Sequence, residues 1–230
     1  MSTDRAAADF GRDIAALLEL FGSSRVSRRS DAQQRLERLS EHIHRWNRMV
    51  NLVSRKDVGR LVSYHFCDSA SVLSIVEPKA DLKVLDVGGS NGLPGLVLSA
   101  ISAHVRVVVC DSQRKRQGFL EDACKDLGYG ASYRLDCVDG ETFQDENRGA
   151  FDLVVARAVT KLRLLFRWCL PLLKPGGCLV AYKGTRCLEE VRQAERYFWS
   201  HGGRAIMVVG SPWAERCNPL RLFTIASKGQ

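Results

Sequence analysis

Val84-Leu85-Asp86-Val87-Gly88-Gly89-Ser90-Asn91-Gly92-Leu93-Pro94-Gly95 is the stretch of sequence that decides the fold of this chain. Its apolar first half predicts the end of a buried strand over 82–88, and its glycines provide the positive φ that a sharp turn needs. Pro94 suits the first turn of a helix. A strand that passes through a glycine-rich turn into a helix exposes bare backbone, so the turn is a candidate ligand site.

The spacing of the glycines limits which cofactor this turn can hold. A dinucleotide fingerprint needs glycine at i, i+2 and i+5, but Ser90 and Leu93 occupy two of those positions. A Walker-type phosphate loop has no match here. The remaining pattern, Asp86-x-Gly88, resembles the first motif of S-adenosylmethionine-dependent methyltransferases, in which an acid faces the methionine amine. A tight turn without a ligand is the alternative that this stretch alone leaves open.

A second acid, Asp111, ends an apolar run 23 positions after Gly88. An acid at the tip of the second strand of a βαβ unit accepts hydrogen bonds from ribose hydroxyls. The same carboxylate can cap the helix that begins near Arg114, and the two roles are compatible. Asp111 therefore favours an adenosine-containing ligand, in nucleotide or S-adenosyl form.

Strands and helices alternate from residue 82 onward, which predicts a parallel sheet with helices on both faces. The predicted elements are strands 82–88, 105–111, 131–138, 151–157 and 178–183, and helices 94–102, 114–127, 160–173 and 187–201. The last two strands, 205–209 and 220–226, are joined by a loop too short for a crossover helix and form an antiparallel hairpin. The fold class is α/β, with the Rossmann-like sheet of a class I S-adenosylmethionine-dependent methyltransferase.

The N-terminal third predicts a helical extension of this sheet. Apolar residues such as Leu36, Leu39 and Ile43 recur with the 3.6-residue period of a helix, and the pattern covers residues 5–77. The segment from Glu77-Pro78 to Asp81 marks a boundary. We therefore divide the chain into an N-terminal helical cap, 1–80, and a methyltransferase domain, 81–230.

Composition indicates a cytoplasmic protein without a metal site. The 230 residues are 45% hydrophobic, enough for a sizeable core, yet no apolar run approaches the roughly 18 residues of a membrane span. Acidic residues near the N-terminus argue against a signal peptide. The eight cysteines never form a Cys-x-x-Cys pair, so we expect no metal and a reducing compartment.

The net charge of +8 favours a polyanionic partner, and nucleic acid is the leading candidate. Any one basic cluster is explained equally well by a solvated helix face, but several together are harder to dismiss. The clusters are Arg25, Arg28 and Arg29; Arg45, Arg48, Arg55, Lys56 and Arg60; and Arg114, Lys115 and Arg116.

A set of short motifs resembles the glucose-inhibited division protein B family over about Leu36 to Ala226. The motifs are Trp46-Asn47, Asn51-Leu52, His65-x-x-Asp68-Ser69, Asp86-Val87-Gly88, Gly92-Leu93-Pro94-Gly95, Asp111-Ser112 with Lys115-Arg116, Arg157-Ala158 and Lys183-Gly184. Members of this family are bacterial methyltransferases that modify nitrogen 7 of a guanine in the 530 loop of 16S rRNA. The resemblance implies S-adenosylmethionine as cofactor and 16S rRNA or the 30S particle as partner, with no role for membrane or metal.

The resemblance also implies a role for individual residues. Those expected to bind the cofactor are Asp86, Gly88, Gly89, Gly92 and Leu93 near its methionine end, Asp111 at the ribose, Val138 and Asp139 at the adenine, and Arg157. Those expected to contact RNA are Asn51, His65, Asp68, Arg116 and Lys183. Hydrogen bonding between cap and sheet is an equal alternative for His65 and Asp68.

The implied reaction needs no general base, because nitrogen 7 of guanine has a lone pair and no proton and requires mainly alignment with the methyl group. We expect Arg157 and Lys183 to be the catalytic residues. Arg157 would donate hydrogen bonds to the acceptor edge of guanine, with an ion pair inside the fold as the alternative. Lys183 would position phosphates.

Three positions depart from the family pattern and leave other functions open. Ser90 stands where the family usually has glycine, Cys137 replaces a basic residue, and Val53 replaces threonine. A side chain at 90 can crowd the cofactor. The alternatives are therefore a weakly active or inactive rRNA-binding or ribosome-assembly protein on the same fold, and a small-molecule methyltransferase, which would not explain the basic cap.

Overall fold

The computed structural model describes residues 3–21, 29–127, 131–135, 138, 141–211, 213, 215 and 222–229. The N-terminal part is helical, as the apolar period predicts. Its elements are α1 (Thr3–Glu19), α2 (Arg29–Trp46), a 3-10 helix (Arg55–Arg60), a π-helical turn (Leu61–Phe66), α3 (Cys67–Ala70) and a second 3-10 helix (Ser71–Ser74).

The rest of the described chain forms one seven-stranded sheet with helices between its strands. The strands are β1 (Leu82–Val87), β2 (Val105–Asp111), β3 (Ala131–Leu135), β4 (Phe151–Arg157), β5 (Leu173–Lys183), β6 (Gly203–Gly210) and β7 (Leu222–Lys228). The helices are α4 (Gly95–Ile101), α5 (Gln117–Leu127), α6 (Glu141–Glu146), α7 (Leu162–Cys169) and α8 (Cys187–Ser200).

The strand order is β3-β2-β1-β4-β5-β7-β6. The first five strands in this order are parallel, and β7 runs antiparallel to both β5 and β6. The predicted parallel sheet and terminal antiparallel hairpin are confirmed. Because the chain reverses its strand order beside β1, the carboxyl ends of β1, β2 and β4 meet at one edge of the sheet, where doubly wound folds bind ligands.

Two elements differ from the sequence prediction. Strand β5 begins at Leu173, whereas the sequence predicts a start at 178 because Pro175-Gly176-Gly177 interrupts the apolar pattern. Leu173 nevertheless pairs with Phe151 of β4, across a register shift. Helix α6 was not predicted; of its six residues only Phe143 is buried, so it has no apolar period to reveal it.

The cap and the sheet share a hydrophobic core. Ile14, Leu36 and Ile43 of the cap lie in one buried cluster with Val84 of β1 and Val107 of β2. The opposite face of the sheet packs on α6, α7 and α8 through a second cluster. The division at residue 80 stays a prediction. None of the described helices is both long enough and apolar enough to cross a membrane.

Candidate functional site

A cavity of about 400 Å³ opens at the carboxyl ends of β1, β2 and β4. It therefore lies where the order of the strands predicts a ligand. Its wall combines bare backbone, a carboxylate, two guanidinium groups and an aromatic ring, and its lining includes Gly88, Ser90, Asp111, Arg116, Val138, Arg157 and Trp168.

Gly88 supplies the bare backbone in this wall. Its φ is +70°, a conformation that side chains rarely adopt, and its N–H donates to the carbonyl of Cys110 at 2.8 Å. A Cβ at this position would lie 2.7 Å from Cγ2 of Val159. Only glycine keeps both the turn and the approach of a ligand to its backbone.

The side chain of Asp86 lies outside the cavity lining, and its predicted contact with the methionine amine stays a prediction. Its carboxylate is fully buried beneath the glycine-rich turn, and Oδ2 accepts the N–H of Gly95 at 2.7 Å. Oδ1 has no hydrogen-bond partner among the described residues. Side chains alternate along a strand, so Asp86 shares the cap-facing side of β1 with Val84, whereas Val87 lines the cavity.

Gly89, Gly92 and Leu93 also lie outside the cavity lining. A Cβ on Gly89 would lie 2.3 Å from Oδ2 of Asp86, and the side chain of Leu93 is 2% exposed within the core. Gly92 has a φ of +73° and packs against Leu96. These three residues shape the turn from below, and their predicted contact with a cofactor stays a prediction.

Burial raises the pKa of Asp86 to about 7, and the charge of Asp111 acts in the same direction, while the hydrogen bond from Gly95 and the charge of Arg157 oppose it. The folded state thus binds a proton that the unfolded state releases near pH 4. The contribution of Asp86 to the free energy of unfolding of the unliganded chain is therefore expected to fall as pH rises from about 4 to about 7, and then to level off. His65, whose pKa is lowered to about 4, contributes in the opposite direction over about pH 4 to 6.5.

Asp86→Asn is expected to abolish this contribution of Asp86, because the amide does not titrate and its carbonyl can still accept from Gly95. The variant should exceed the parent in unfolding free energy by about 2–4 kcal/mol at about pH 8, with the excess shrinking as the pH approaches 4. Urea unfolding of both proteins across this range measures it. A stability difference that does not change with pH would show that Asp86 is ionised in the folded chain throughout.

Asp111 combines both of its sequence interpretations. Its Oδ1 accepts the N–H of Gln113 at 2.6 Å, as a turn-capping carboxylate does, and the residue also lines the cavity. Val138 lines the cavity and is 7% exposed. Asp139, its predicted partner at the adenine, lies outside the described residues.

Ser90 is accommodated by a hydrogen bond to Arg116. The Arg116 guanidinium donates to the Ser90 hydroxyl through Nη1 and to the carbonyl of Asn51 at 2.9 Å through Nη2. The amide of Asn91 donates to the carbonyl of Leu52 at 3.3 Å. The turn, the start of α5 and the cap loop at 51–52 are thereby joined, and Asn51 takes part through its backbone.

Arg157 lies between the cap and the cavity. Its Nη1 is 3.4 Å from Oδ2 of the buried Asp68 and donates to Oγ of Ser69 at 3.2 Å. The hydroxyl of Tyr182 donates to the carbonyl of Ser69 at 2.6 Å. The ion pair within the fold is therefore present, and the side chain lines the cavity at the same time. The next residue, Ala158, has a φ of +56°, a strained value for a side chain.

His65 is a neutral residue of the cap. Burial is the main reason that its pKa is lowered to about 4, and the charge of Arg157 adds to it. Its Nε2 lies 3.9 Å from Oδ2 of Asp57, but an uncharged ring forms no ion pair there. Its carbonyl accepts from Ser69 at 2.7 Å. Neither His65 nor Asp68 belongs to the cavity lining, so both act on this region through Ser69 and Arg157.

Lys183 does not line the cavity itself but lines the neighbouring groove, which shares Ala158 and Val159 with it. Its predicted catalytic and phosphate-positioning roles stay predictions. Its Nζ donates to the carbonyl of Thr160 at 2.6 Å and to Oε2 of Glu190 at 2.7 Å. The same Glu190 oxygen accepts the N–H of Leu162 at 3.0 Å. Lys183 therefore fixes the loop after β4 against α8, where its charge is matched by a carboxylate.

Sequence reasoning missed Trp168 and Val159, which line the cavity from α7 and from the loop after β4. Nothing in the sequence distinguishes Trp168 from a core aromatic residue. Loop position was a usable signal for Val159, because it follows the strand that ends at Arg157.

The residues of the cavity fit S-adenosylmethionine. Bare backbone at Gly88 would admit its aliphatic chain, the Asp111 carboxylate would accept from ribose hydroxyls, and Val138 and Trp168 would offer apolar surface to an adenine ring. Among the described residues no group of His, Cys, Asp and Glu is arranged to hold a metal ion.

Comparison with known proteins adds a family and a fold. The family model described as rRNA small subunit methyltransferase G (GidB) matches residues 32–216. A protein of Geobacillus kaustophilus named ribosomal RNA small subunit methyltransferase G is 37% identical over 183 residues, which are 79% of this chain and 73% of that protein.

Two solved structures show the fold alone, since both are distant in sequence. A SAM-dependent methyltransferase from Aquifex aeolicus has a TM-score of 0.55 and 16% identity, covering 82% of this chain and 97% of its own. A SAM-dependent O-methyltransferase from Thermotoga maritima has a TM-score of 0.54 and 15% identity, covering 84% and 71%. The predicted Rossmann-like class I fold is confirmed.

Proposed function

Because the chain belongs to the rRNA small subunit methyltransferase G (GidB) family, we propose that it transfers the methyl group of S-adenosylmethionine to nitrogen 7 of a guanine in the 530 loop of 16S rRNA. The observation that carries this proposal is the cavity at the carboxyl ends of β1, β2 and β4, which joins the bare backbone of Gly88 to Asp111 and Arg157.

The cofactor supplies an activated methyl group on a sulfonium, and the chain supplies position. Gly88 would let the cofactor lie against the turn, and Asp111 would accept hydrogen bonds from its ribose hydroxyls. Guanine nitrogen 7 attacks as a lone pair without losing a proton, so no side chain needs to act as a base. Alignment of two reactants in this way can account for a large part of a rate enhancement.

Arg157 is the residue that we assign to the target base. Arginine pairs with the O6 and N7 edge of guanine more often than with any other base. Its anchors, Asp68 and Ser69, hold the guanidinium at the cavity wall and limit its rotation. For the reacting nitrogen to remain open, the hydrogen bond from Arg157 would go to O6.

Exposed cations on both sides of the cavity favour RNA as the partner. Arg48 and Arg55 flank Asn51 of the cap loop. Lys161 is the last residue of the loop after β4, and Arg163 lies just beyond it in α7. The groove lined by Lys161 also contains Ala158 and Val159, which belong to the cavity lining. An RNA strand that reaches the cavity would pass these charges, so we expect its binding to weaken strongly with salt. We expect the protein to act in the cytoplasm.

Two measurements on the purified chain test this function. Calorimetric titration with S-adenosylhomocysteine is expected to give micromolar binding, and labelled methyl groups should pass to 16S rRNA, offered either naked or as 30S particles. RNA binding that weakens with salt, in a folded chain that binds no S-adenosylhomocysteine with or without 30S particles, would instead establish a noncatalytic rRNA-binding protein. Methyl transfer to small molecules but not to RNA would establish a small-molecule methyltransferase.

A further inference from the structure

We propose that Arg116, held in place by Ser90, binds the carboxylate at the methionine end of the cofactor. This inference rests on the proposed function, because it assumes S-adenosylmethionine in the cavity. It replaces the expectation that Arg116 contacts RNA phosphate, and it makes Ser90 the residue that positions Arg116 in the cofactor site.

Arg116 forms part of the wall of the cavity. It ends the 3-10 turn Arg114–Arg116 that precedes α5 and follows Asp111, and it reaches across to Ser90 in the glycine-rich turn. Gly88, Ser90 and Arg116 all line the cavity. The guanidinium therefore stands beside the turn, which is the end of the cavity assigned to the methionine portion.

Arg116 and Arg157 differ in the charge of their partners. Arg116 and Arg157 are the two basic side chains among the described residues that line this cavity. Arg157 is paired with the carboxylate of Asp68 at 3.4 Å. The acceptors described for Arg116 are a hydroxyl and a backbone carbonyl, both neutral, and they use two of its five N–H donors.

The guanidinium of Arg116 is chemically matched to the amino-acid end of the cofactor. The amino-acid end of S-adenosylmethionine carries a carboxylate, and a guanidinium binds carboxylates through two parallel hydrogen bonds. An arginine that is already oriented loses little further freedom on binding. The hydroxyl of Ser90 and the carbonyl of Asn51 provide this orientation, because they accept from different nitrogens, Nη1 and Nη2, of the group.

Ser90 is accordingly a positioning residue. Its hydroxyl is largely buried and accepts from Arg116, so the side chain points to the guanidinium rather than filling the cavity. A glycine at this position would leave the guanidinium with the cap loop as its described anchor. The departure from the family pattern therefore couples the turn to a cofactor-binding arginine.

The experiment compares two ligands that differ by one carboxylate. Calorimetry would measure the affinity of S-adenosylmethionine and of decarboxylated S-adenosylmethionine for the parent chain, Arg116→Gln, Ser90→Ala and Arg114→Gln. Arg114 lies in the same turn as Arg116 and is exposed outside the cavity lining, so its variant is matched in charge and location.

Arg116→Gln is expected to weaken S-adenosylmethionine binding about tenfold or more, which is the usual effect of losing a charged hydrogen bond. The affinity for the decarboxylated ligand should stay within about twofold, which also shows that the variant is folded. Ser90→Ala should weaken only S-adenosylmethionine, by a smaller factor, and Arg114→Gln should change neither affinity.

Three results would overturn the proposal. Equal losses for both ligands would make Arg116 a structural tether of the cap loop. Unchanged affinity for both, with reduced affinity for rRNA, would return Arg116 to phosphate binding. If the parent chain binds neither ligand, the proposed function fails together with this inference, whereas normal binding by the parent confines a failure to Arg116.

Discussion

Arg157→Gln is expected to lower the rate of methyl transfer to rRNA about a hundredfold or more, the effect of removing one preorganised charged donor from an active site. Its side chain is one-tenth exposed, lines the cavity and is anchored by Asp68 and Ser69. Glutamine lacks both the charge and the rigid fork of donors. Single-turnover methylation of 16S rRNA at saturating cofactor measures the loss, with rRNA affinity expected to change much less.

A second variant separates this effect from loss of stability. Without Arg157, the buried carboxylate of Asp68 loses a charged partner, which destabilises the fold. Adding Asp68→Asn removes that charge as well, so the double variant should regain most of the lost melting temperature while methylation stays low. Recovery of methylation in the double variant would mean that Arg157 only neutralises Asp68.

Gly89→Ala is expected to lower the free energy of unfolding by about 3 kcal/mol and to abolish cofactor binding. The added Cβ would lie 2.3 Å from Oδ2 of Asp86 and 3.0 Å from Cγ1 of Val109. The carboxylate cannot move aside, because it is fully buried and holds Gly95. Chemical unfolding and calorimetry with S-adenosylhomocysteine measure the two effects.

Gly210→Ala is the matched control, since a Cβ at this end of β6 meets nothing within 4 Å. It should unfold within about 0.5 kcal/mol of the parent and bind cofactor normally. A Gly89→Ala chain with unchanged stability and cofactor affinity would contradict the close packing of the turn on Asp86.

The fold was predictable from the sequence because its signals are local. The turn after β1, the apolar strands and Asp111 at the end of β2 each depend on residues close together in the chain, and the alternation of strands with helices predicts a parallel sheet. Strand β5 and helix α6 were misjudged where Pro175 and a polar segment hide the pattern. Their limits depend on pairing with distant residues.

The site was predictable only in part, because its contacts join distant segments. Arg157 meets Asp68 across 89 positions, and Arg116 meets Ser90 across 26, which no local pattern shows. Lys183 ends its strand as predicted, but the packing of α8 brings Glu190 to it. The burial of Asp86 beneath the turn likewise depends on its contact with Gly95, nine positions away in the chain.

The measurement that tests the central claim most directly is mass spectrometry of nucleosides from 16S rRNA, after naked rRNA and 30S particles have each been incubated with the chain and S-adenosylmethionine. Digestion into fragments before analysis assigns the methyl group to a region of the RNA. We predict 7-methylguanosine in the fragment that contains the 530 loop, at close to one methyl group per molecule. Absence of methylation in a chain that binds the cofactor, or methylation of any other atom or loop, would contradict the account.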